Sequence, residues 1–580
     1  MEGARFLLAI VLSIAVVLLV NLMFPPGAPR ETDAPADSSV VDTVLVRPEA
    51  EAAEDTPRLA PAPQRDTAAP PAELPTGAPE ETAARADTFW VQTEMARYGF
   101  SSRGGAIVSV ELLGFESYTR PGPVQLVEPD DPALLEYGLR VGNRVVPLST
   151  LSFDSPIPAG DTLLVDEPTS VSFRSTSNGA TIEMVYGFAP DRYVVPLDGH
   201  IRGVGEDPTL LLDLGPRLAV NEADSAEDLR ALAYVVRSRR TGLESVRIED
   251  VEQQRIEEGP LSWVALKNKY FLAAAIQAEE GEAGGAFGGL IAEPGQVGAE
   301  RVRATLPVDR SGDVHLRLFF GPQEYGRLAA IGDGLKDVNP YGWRIFQPII
   351  RPLADIITWI LTALHNVLGL GYGWVLILFG FAMRGILWPL NAKAMRSQLK
   401  TMELQPRIKE IQEKYKEKPE QLQKEMMRLY KEEGFNPLGG CLPMLIPWPV
   451  LITLFFVFQN TIEFRGVEFL WLPDLSRPDP FYLLPIILGL SLFALQYMSV
   501  RATGSDNPQQ KMLMWIMPIM MTVIFLNFAS GLNLYYAASN VASLPQQIQI
   551  IGERKRAKAR IDAKQEKEKK EAKKVAKKKG

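Results

Sequence analysis

The chain has 580 residues, with 61 Lys and Arg against 70 Asp and Glu and a formal net charge of -9; that length calls for several domains rather than one. Cys441 is the single cysteine, which excludes an intrachain disulfide and a zinc site built on paired cysteines. His200, His315 and His365 stand far apart in sequence, and no Walker A loop, dinucleotide-binding glycine motif or GxSxG elbow occurs, which argues against an ATP-driven pump.

Residues 6–23 form an apolar run interrupted only by Ser13 and Asn21, long enough to span a bilayer. Phe24-Pro25-Pro26 follows where a signal peptide would carry a small-residue cleavage site, so residues 1–24 are expected to be a retained anchor, with a cleaved signal as the alternative. Residues 25–88 are rich in Pro, Ala, Asp and Glu and poor in aromatics, a composition that buries too little apolar surface to offset ordering. They are expected to be a tether reaching about 40 Å on average. From 89 to 338, short apolar runs at 106–113, 171–174, 181–186, 193–195 and 314–320 alternate with turn signals, which predicts an all-β, sandwich-like domain.

Residues 339–370 place apolar side chains at helical spacing, with Arg344, Gln347, Arg351, Asp355 and Thr362 largely on the other face. That pattern predicts an amphipathic helix lying in the membrane interface; half of a transmembrane hairpin is the rival. Residues 371–550 are expected to form a core of five spans, near 374–390, 442–458, 481–499, 512–528 and 532–548. The loop 391–440 is charged and rich in Lys and Arg, so it belongs in the cytoplasm. Parity then puts both termini inside and the β-domain outside. The fold class expected is a multi-domain membrane protein: a five-helix α core, an N-terminal anchor helix and an all-β outer domain.

Arg384, in FAMRGILWPL, lies about ten residues into the first core span. A guanidinium at mid-bilayer costs about 2.5–3.5 kcal/mol on insertion scales, and none of the later spans offers an acid. It either snorkels to the cytoplasmic headgroups or stands in a water-filled groove. Gln459, Asn460, Gln496, Asn527, Asn533, Ser539 and Asn540 add polarity to the other spans, each also readable as a helix–helix hydrogen bond. Residues 391–435 predict a helical hairpin with a sparse apolar stripe that Pro406 breaks. The stripe is either self-satisfied or a Met-rich docking surface. From Arg554 to Lys579 the tail carries fourteen Lys and Arg against four acids. It reads either as a disordered arm drawn to anionic lipid or as a contact to ribosomal RNA phosphates.

Several stretches resemble the YidC family in order: NPLGGCLPMLIPWPV (436–450), FLWLPDLSRPDPFYLLPI (469–486), SGLNLYYAASN (530–540) and FAMRGILWPL around Arg384. WVALKNKYFLAAAI (263–276) and FFGPQEYGRLAAIGDGL (319–335) extend the likeness more loosely into the β-domain. The resemblance implies a membrane insertase and chaperone without cofactor, not an enzyme, in the bacterial inner membrane. It implies a periplasmic β-supersandwich, a cytoplasm-facing hydrophilic groove, and nascent integral membrane proteins as clients. It also implies work alone or beside the Sec translocon and its accessory subunits; the charge of the basic tail 551–580 and the stripe of the hairpin make the ribosome an expected partner. The groove is expected to hold Arg384, Gln459, Gln496, Asn527, Asn533, Tyr535, Tyr536 and Asn540. Pro447, Trp448 and Gly380 depart from the family pattern, and Gly380, one turn before Arg384, is expected to widen the groove. A secondary transporter would want an inverted repeat and an intramembrane acid, and neither is found. A tethered carbohydrate-active enzyme would leave the basic hairpin unexplained.

Overall fold

The computed structural model describes residues 87–579, apart from 129–130, 132, 178, 206, 279–285, 296–297, 340–345, 417, 433–446 and 504–507. The expected anchor and all but the end of the expected linker lie outside the described residues.

Strands run from Thr88–Gln92 to Asp313–Pro322 and build a five-stranded and a thirteen-stranded sheet. The alternation read from sequence is the packing itself. In Ala180–Phe188 every second residue (Ala180, Ile182, Met184, Tyr186 and Phe188) is buried, because side chains on a strand point alternately to either face. Its neighbour Thr169–Ser177 pairs antiparallel, with Phe173 opposite Met184. Phe100 of the smaller sheet stacks on Phe173 at 5.1 Å and meets Tyr186 edge-on at 4.9 Å. These rings lock the two sheets face to face, so the domain is sandwich-like. The strand Phe271–Gln277 is buried at every position, which is why FLAAAIQ reads as a continuous apolar run rather than an alternation. Each strand-length run named from the sequence falls within, or one residue off, an observed strand.

Two short helices interrupt the domain, α1 (Ser225–Ala231) and α2 (Tyr325–Ile331). Then follow α3 (Gln347–Leu368), α4 (Tyr372–Lys414), α5 (Pro419–Glu432), α6 (Pro447–Asn460), α7 (Leu483–Thr503), α8 (Pro508–Phe525) and α9 (Ser530–Lys579).

α3 is one uninterrupted helix ended by Gly369 in the left-handed region, φ 63°, where glycine carries no Cβ penalty. Ile350, Ala354, Ile357 and Leu361 make its buried stripe, packed in one cluster with Val375, Leu376 and Phe379 of α4 and Leu454 and Val457 of α6. Ile349, Ile356, Trp359 and Val367 point outward and are more than half exposed. Apolar side chains on both the packed and the outer side suit a helix lying against lipid better than one facing water.

The expected helical hairpin is present, and the disordered-arm reading of the tail is corrected. α4 runs unbroken through Pro406 to Lys414: proline removes one ladder hydrogen bond, and the surrounding Lys, Glu, Gln and Leu are strong helix formers. The basic tail is no unstructured arm, since α9 continues to Lys579. Its Ala, Lys, Glu and Arg are the residues that favour helix, and Glu566 and Lys570 pair across one turn at 2.7 Å.

Among the described residues one helical segment, Tyr372–Pro389, is long and apolar enough to cross a membrane. Pro449–Asn460, Leu483–Met498 and Met514–Phe525 are shorter apolar helices. The residues expected to begin the second span, 442–446, lie outside the described ones.

Candidate functional site

The core is organised by a close crossing of α4 and α9. A Cβ on Gly380 would meet the Tyr535 carbonyl oxygen at 3.1 Å, the Ala538 Cβ at 3.2 Å and the Ser539 nitrogen at 3.3 Å. Glycine, with no side chain, lets the two backbones come this close, and a methyl group would already be a tight fit. This corrects the expectation at this position: Gly380 draws the helices together and does not widen the space between them. The Tyr535 ring fills the crossing, 5.6 Å from Phe379, 6.0 Å from Phe458 and 5.3 Å from Tyr536. Tyr536 in turn packs against Phe525 at 5.1 Å.

Arg384 follows one turn beyond Gly380, about 18 Å along α4 from Tyr372. Its side chain is half-buried. Its Nε is buried and has no hydrogen-bond partner, and no carboxylate among the described residues pairs with it. Tyr535 lies within electrostatic range of the guanidinium.

The other expected groove residues separate into distinct settings. Asn533, fully buried, donates from Nδ2 to the carbonyl oxygens of Phe525 at 3.1 Å and Phe528 at 3.4 Å, so it closes the end of α8; its Oδ1 is unpartnered. Asn540 donates to Ser491 Oγ at 2.9 Å and ties α9 to α7. Gln496 is half-buried on α7. Gln459 and Asn527 line a separate cavity together with β-domain residues, and Arg384 is not in its lining. The structure therefore gathers Arg384, Tyr535 and Tyr536 around one crossing and sets Gln459 and Asn527 elsewhere.

Sequence reasoning missed the joint between the β-domain and the loop after α6. Arg465 donates to Glu222 Oε1 at 2.8 Å and to the Glu116 carbonyl oxygen at 2.8 Å, and its guanidinium lies 4.4 Å over the Tyr118 ring. Tyr118 donates to Asp474 at 2.7 Å. Burial pushes the Glu222 carboxyl up to about 7, against the pull of Arg465. No local pattern could signal partners so far apart in sequence. Asp479, fully buried, accepts from the Phe481 and Leu484 amides at 3.0 and 2.7 Å and from Trp471; it caps α7, which gives the RPDP stretch a structural role.

Helix α5 packs back on α4. Leu429 and Leu404 are buried, which favours the self-satisfied reading of the apolar stripe, while Met427 stays exposed.

Residues 89–356 match the family model described as YidC periplasmic domain, and residues 363–558 match the one described as 60Kd inner membrane protein. A "Membrane protein insertase YidC" of Cupriavidus necator is 32% identical over 574 residues, covering 95% of this chain and 97% of the relative. The chain belongs to the YidC family. A second YidC relative, from Syntrophus aciditrophicus, is 30% identical over 563 residues, covering 94% of this chain and 99% of its own length. The solved structure of an active YidC insertase with its first transmembrane domain resolved covers 80% of this chain and 94% of its own, at 19% identity and TM-score 0.33. The YidC match marks residues 89–356 as a periplasmic domain and the rest of the chain as part of an inner-membrane protein. YidC relatives are named for insertion, and the chain is not an enzyme.

Proposed function

We propose that the chain inserts newly made integral membrane proteins into the bacterial inner membrane and helps them fold and assemble, alone or beside the Sec translocon. The observation that carries this reading is Arg384: a half-buried guanidinium, without an acidic partner among the described residues, on the segment Tyr372–Pro389 that is able to cross the membrane. In lipid such a group costs several kcal/mol. In a wet groove opening towards the cytoplasm it stays solvated and attracts the acidic or polar segment of a client.

Tyr535 and Tyr536 form the apolar wall beside that groove. Gln496 and Asn540 contribute polar lining, with Asn533 holding α8 and α9 in register. The client's polar segment is drawn partway into the bilayer, and its apolar helix then leaves sideways into lipid, driven by burial at about 25 cal/mol per Å² of apolar surface. No nucleotide is required, because the insertase only lowers the cost of moving the polar segment.

The reading places six spans, counting an N-terminal anchor, with both termini and the hairpin of α4 and α5 in the cytoplasm. The basic end of α9 and the hairpin meet the ribosome, and anionic lipid headgroups attract the same charge. Reconstitution of the purified chain into liposomes with a short nascent membrane protein tests the reading. Insertion without nucleotide and without added Sec components is expected; insertion no greater than in protein-free liposomes would refute it.

A further inference from the structure

A cavity of about 460 Å³ opens where the periplasmic domain meets the ends of α6 and α8. That is the size of a small-molecule site. One wall, from the periplasmic domain, carries Asp224, Glu227 and Lys269; the other, from the membrane part, carries Gln459, Arg477 and Asn527. Lys269 is already held by Glu227 at 2.7 Å. Arg477 is exposed, lies 5.2 Å over the Tyr118 ring, and has no carboxylate partner among the described residues. The cavity therefore offers a free guanidinium on the membrane side and carboxylates on the domain side.

The loop that carries Arg477 also turns large apolar groups outward. Leu470 is 73% exposed and Phe481 65%, followed by exposed Tyr482 and Leu483. Leu470 and Tyr482 do so from left-handed backbone, φ 55° and 56°, a costly conformation for bulky residues. Exposed aromatic and aliphatic side chains at the end of a membrane helix mark the headgroup level of the bilayer. A cation and carboxylates lining one cavity, with exposed apolar residues from Phe481 onward only a few positions after Arg477 and Pro478 of its wall, match the three parts of one amphiphile.

We propose that this cavity binds the headgroup of a zwitterionic phospholipid from the outer leaflet. Arg477 takes the phosphate, for which a guanidinium fork is suited. Asp224, whose Oδ1 accepts the Glu227 amide at 3.0 Å, takes the ammonium with its other oxygen, while Glu227 keeps Lys269 neutralised, and the acyl chains run along Phe481 and Leu483. The site stands apart from Arg384 and does not rest on the insertion reading.

The test titrates the full chain, purified in nonionic detergent, with dioleoyl phosphatidylethanolamine or dioleoyl phosphatidylglycerol and counts retained lipid by native mass spectrometry. The parent should hold one phosphoethanolamine lipid more tightly than any phosphoglycerol lipid. Arg477→Ala should weaken that retention at least tenfold; the residue is exposed, so the fold should survive. Glu227→Gln frees Lys269 and should turn the preference towards the anionic lipid. Equal retention by parent and Arg477→Ala, or no preference between headgroups in the parent, overturns the proposal. Displacement by free glycerophosphoethanolamine at low concentration would overturn it in favour of a soluble ligand. A photoreactive residue at Asn527 that marks a stalled client and no lipid would give the cavity to the client's path instead.

Discussion

Arg465 and Glu222 stand 243 positions apart in sequence and form an ion pair of 2.8 Å, with side chains 4% and 8% exposed. One belongs to the loop after α6 and the other to the periplasmic domain, so the pair ties the two parts together. Removing one partner of a buried pair leaves an uncompensated charge and costs about 3–5 kcal/mol. Arg465→Ala should therefore loosen the joint, read as faster amide exchange across the loop 461–480. Replacing both residues with apolar ones should restore much of the loss, because burial already works against the Glu222 carboxylate. A double variant as loose as the single one would contradict this.

Lys267 is buried, donates to Asn339 Oδ1 at 2.5 Å, and is pushed down to about 8 by burial, with Asp228 opposing. Its folded value lies below the usual 10.5, so between pH 8 and 10.5 the unfolded chain holds a proton that the fold does not. Stability should rise with pH across that window, by at most about 3 kcal/mol from this group, and the cost of the buried charge is fully present below pH 8. The protection factors of amides in the strand Arg255–Lys267, corrected for the faster intrinsic exchange at high pH, should rise accordingly. In Lys267→Met that dependence should disappear.

Gly380 holds α4 and α9 at close approach. Gly380→Ala should be tolerated with small loss, since its Cβ contacts of 3.1 to 3.3 Å need only a slight shift. Gly380→Leu should cost about 1–3 kcal/mol, as overpacking does. Thermal unfolding in detergent distinguishes the two, and an unaffected Leu variant would show that the crossing is loose.

The Lys- and Arg-rich end of α9 is a helix with far more positive than negative charge. Removing residues 553–580 should weaken ribosome binding, with the largest difference at low salt, because phosphate contacts are screened and compete with counterions. Unchanged binding at low salt would leave the helix end a lipid-facing element.

Periodicity made the strands of the β-domain legible, since Ala180–Phe188 alternates in sequence as it does in burial. It also made α3 legible, although its outward apolar residues were hidden in a pattern read as one apolar and one polar face. Pro406 marks a gap in the apolar stripe, yet the backbone stays helical through it within a 43-residue helix. At the candidate site, Arg384 stood out because charge in an apolar run is costly wherever it falls. Asn533, Gln459 and Asn527 looked alike in sequence, yet the first closes a helix end and the other two face the periplasmic domain. Side-chain polarity names a residue as unusual, while its partner depends on which helices cross, and no local window holds that information. The Arg465–Glu222 pair illustrates the same limit at greater separation.

The central claim is that the Arg384 charge draws a client's polar segment into the bilayer. Insertion of a client with an acidic translocated segment, measured in liposomes with Arg384→Ala, Arg384→Lys and Arg384→Glu at equal protein levels, tests it most directly. Lysine should retain much of the activity, alanine should lose at least tenfold, and glutamate should be worst for acidic clients, because it puts a like charge where the client's acidic segment must enter. Alanine and glutamate variants that insert acidic clients as well as the parent does would contradict the account.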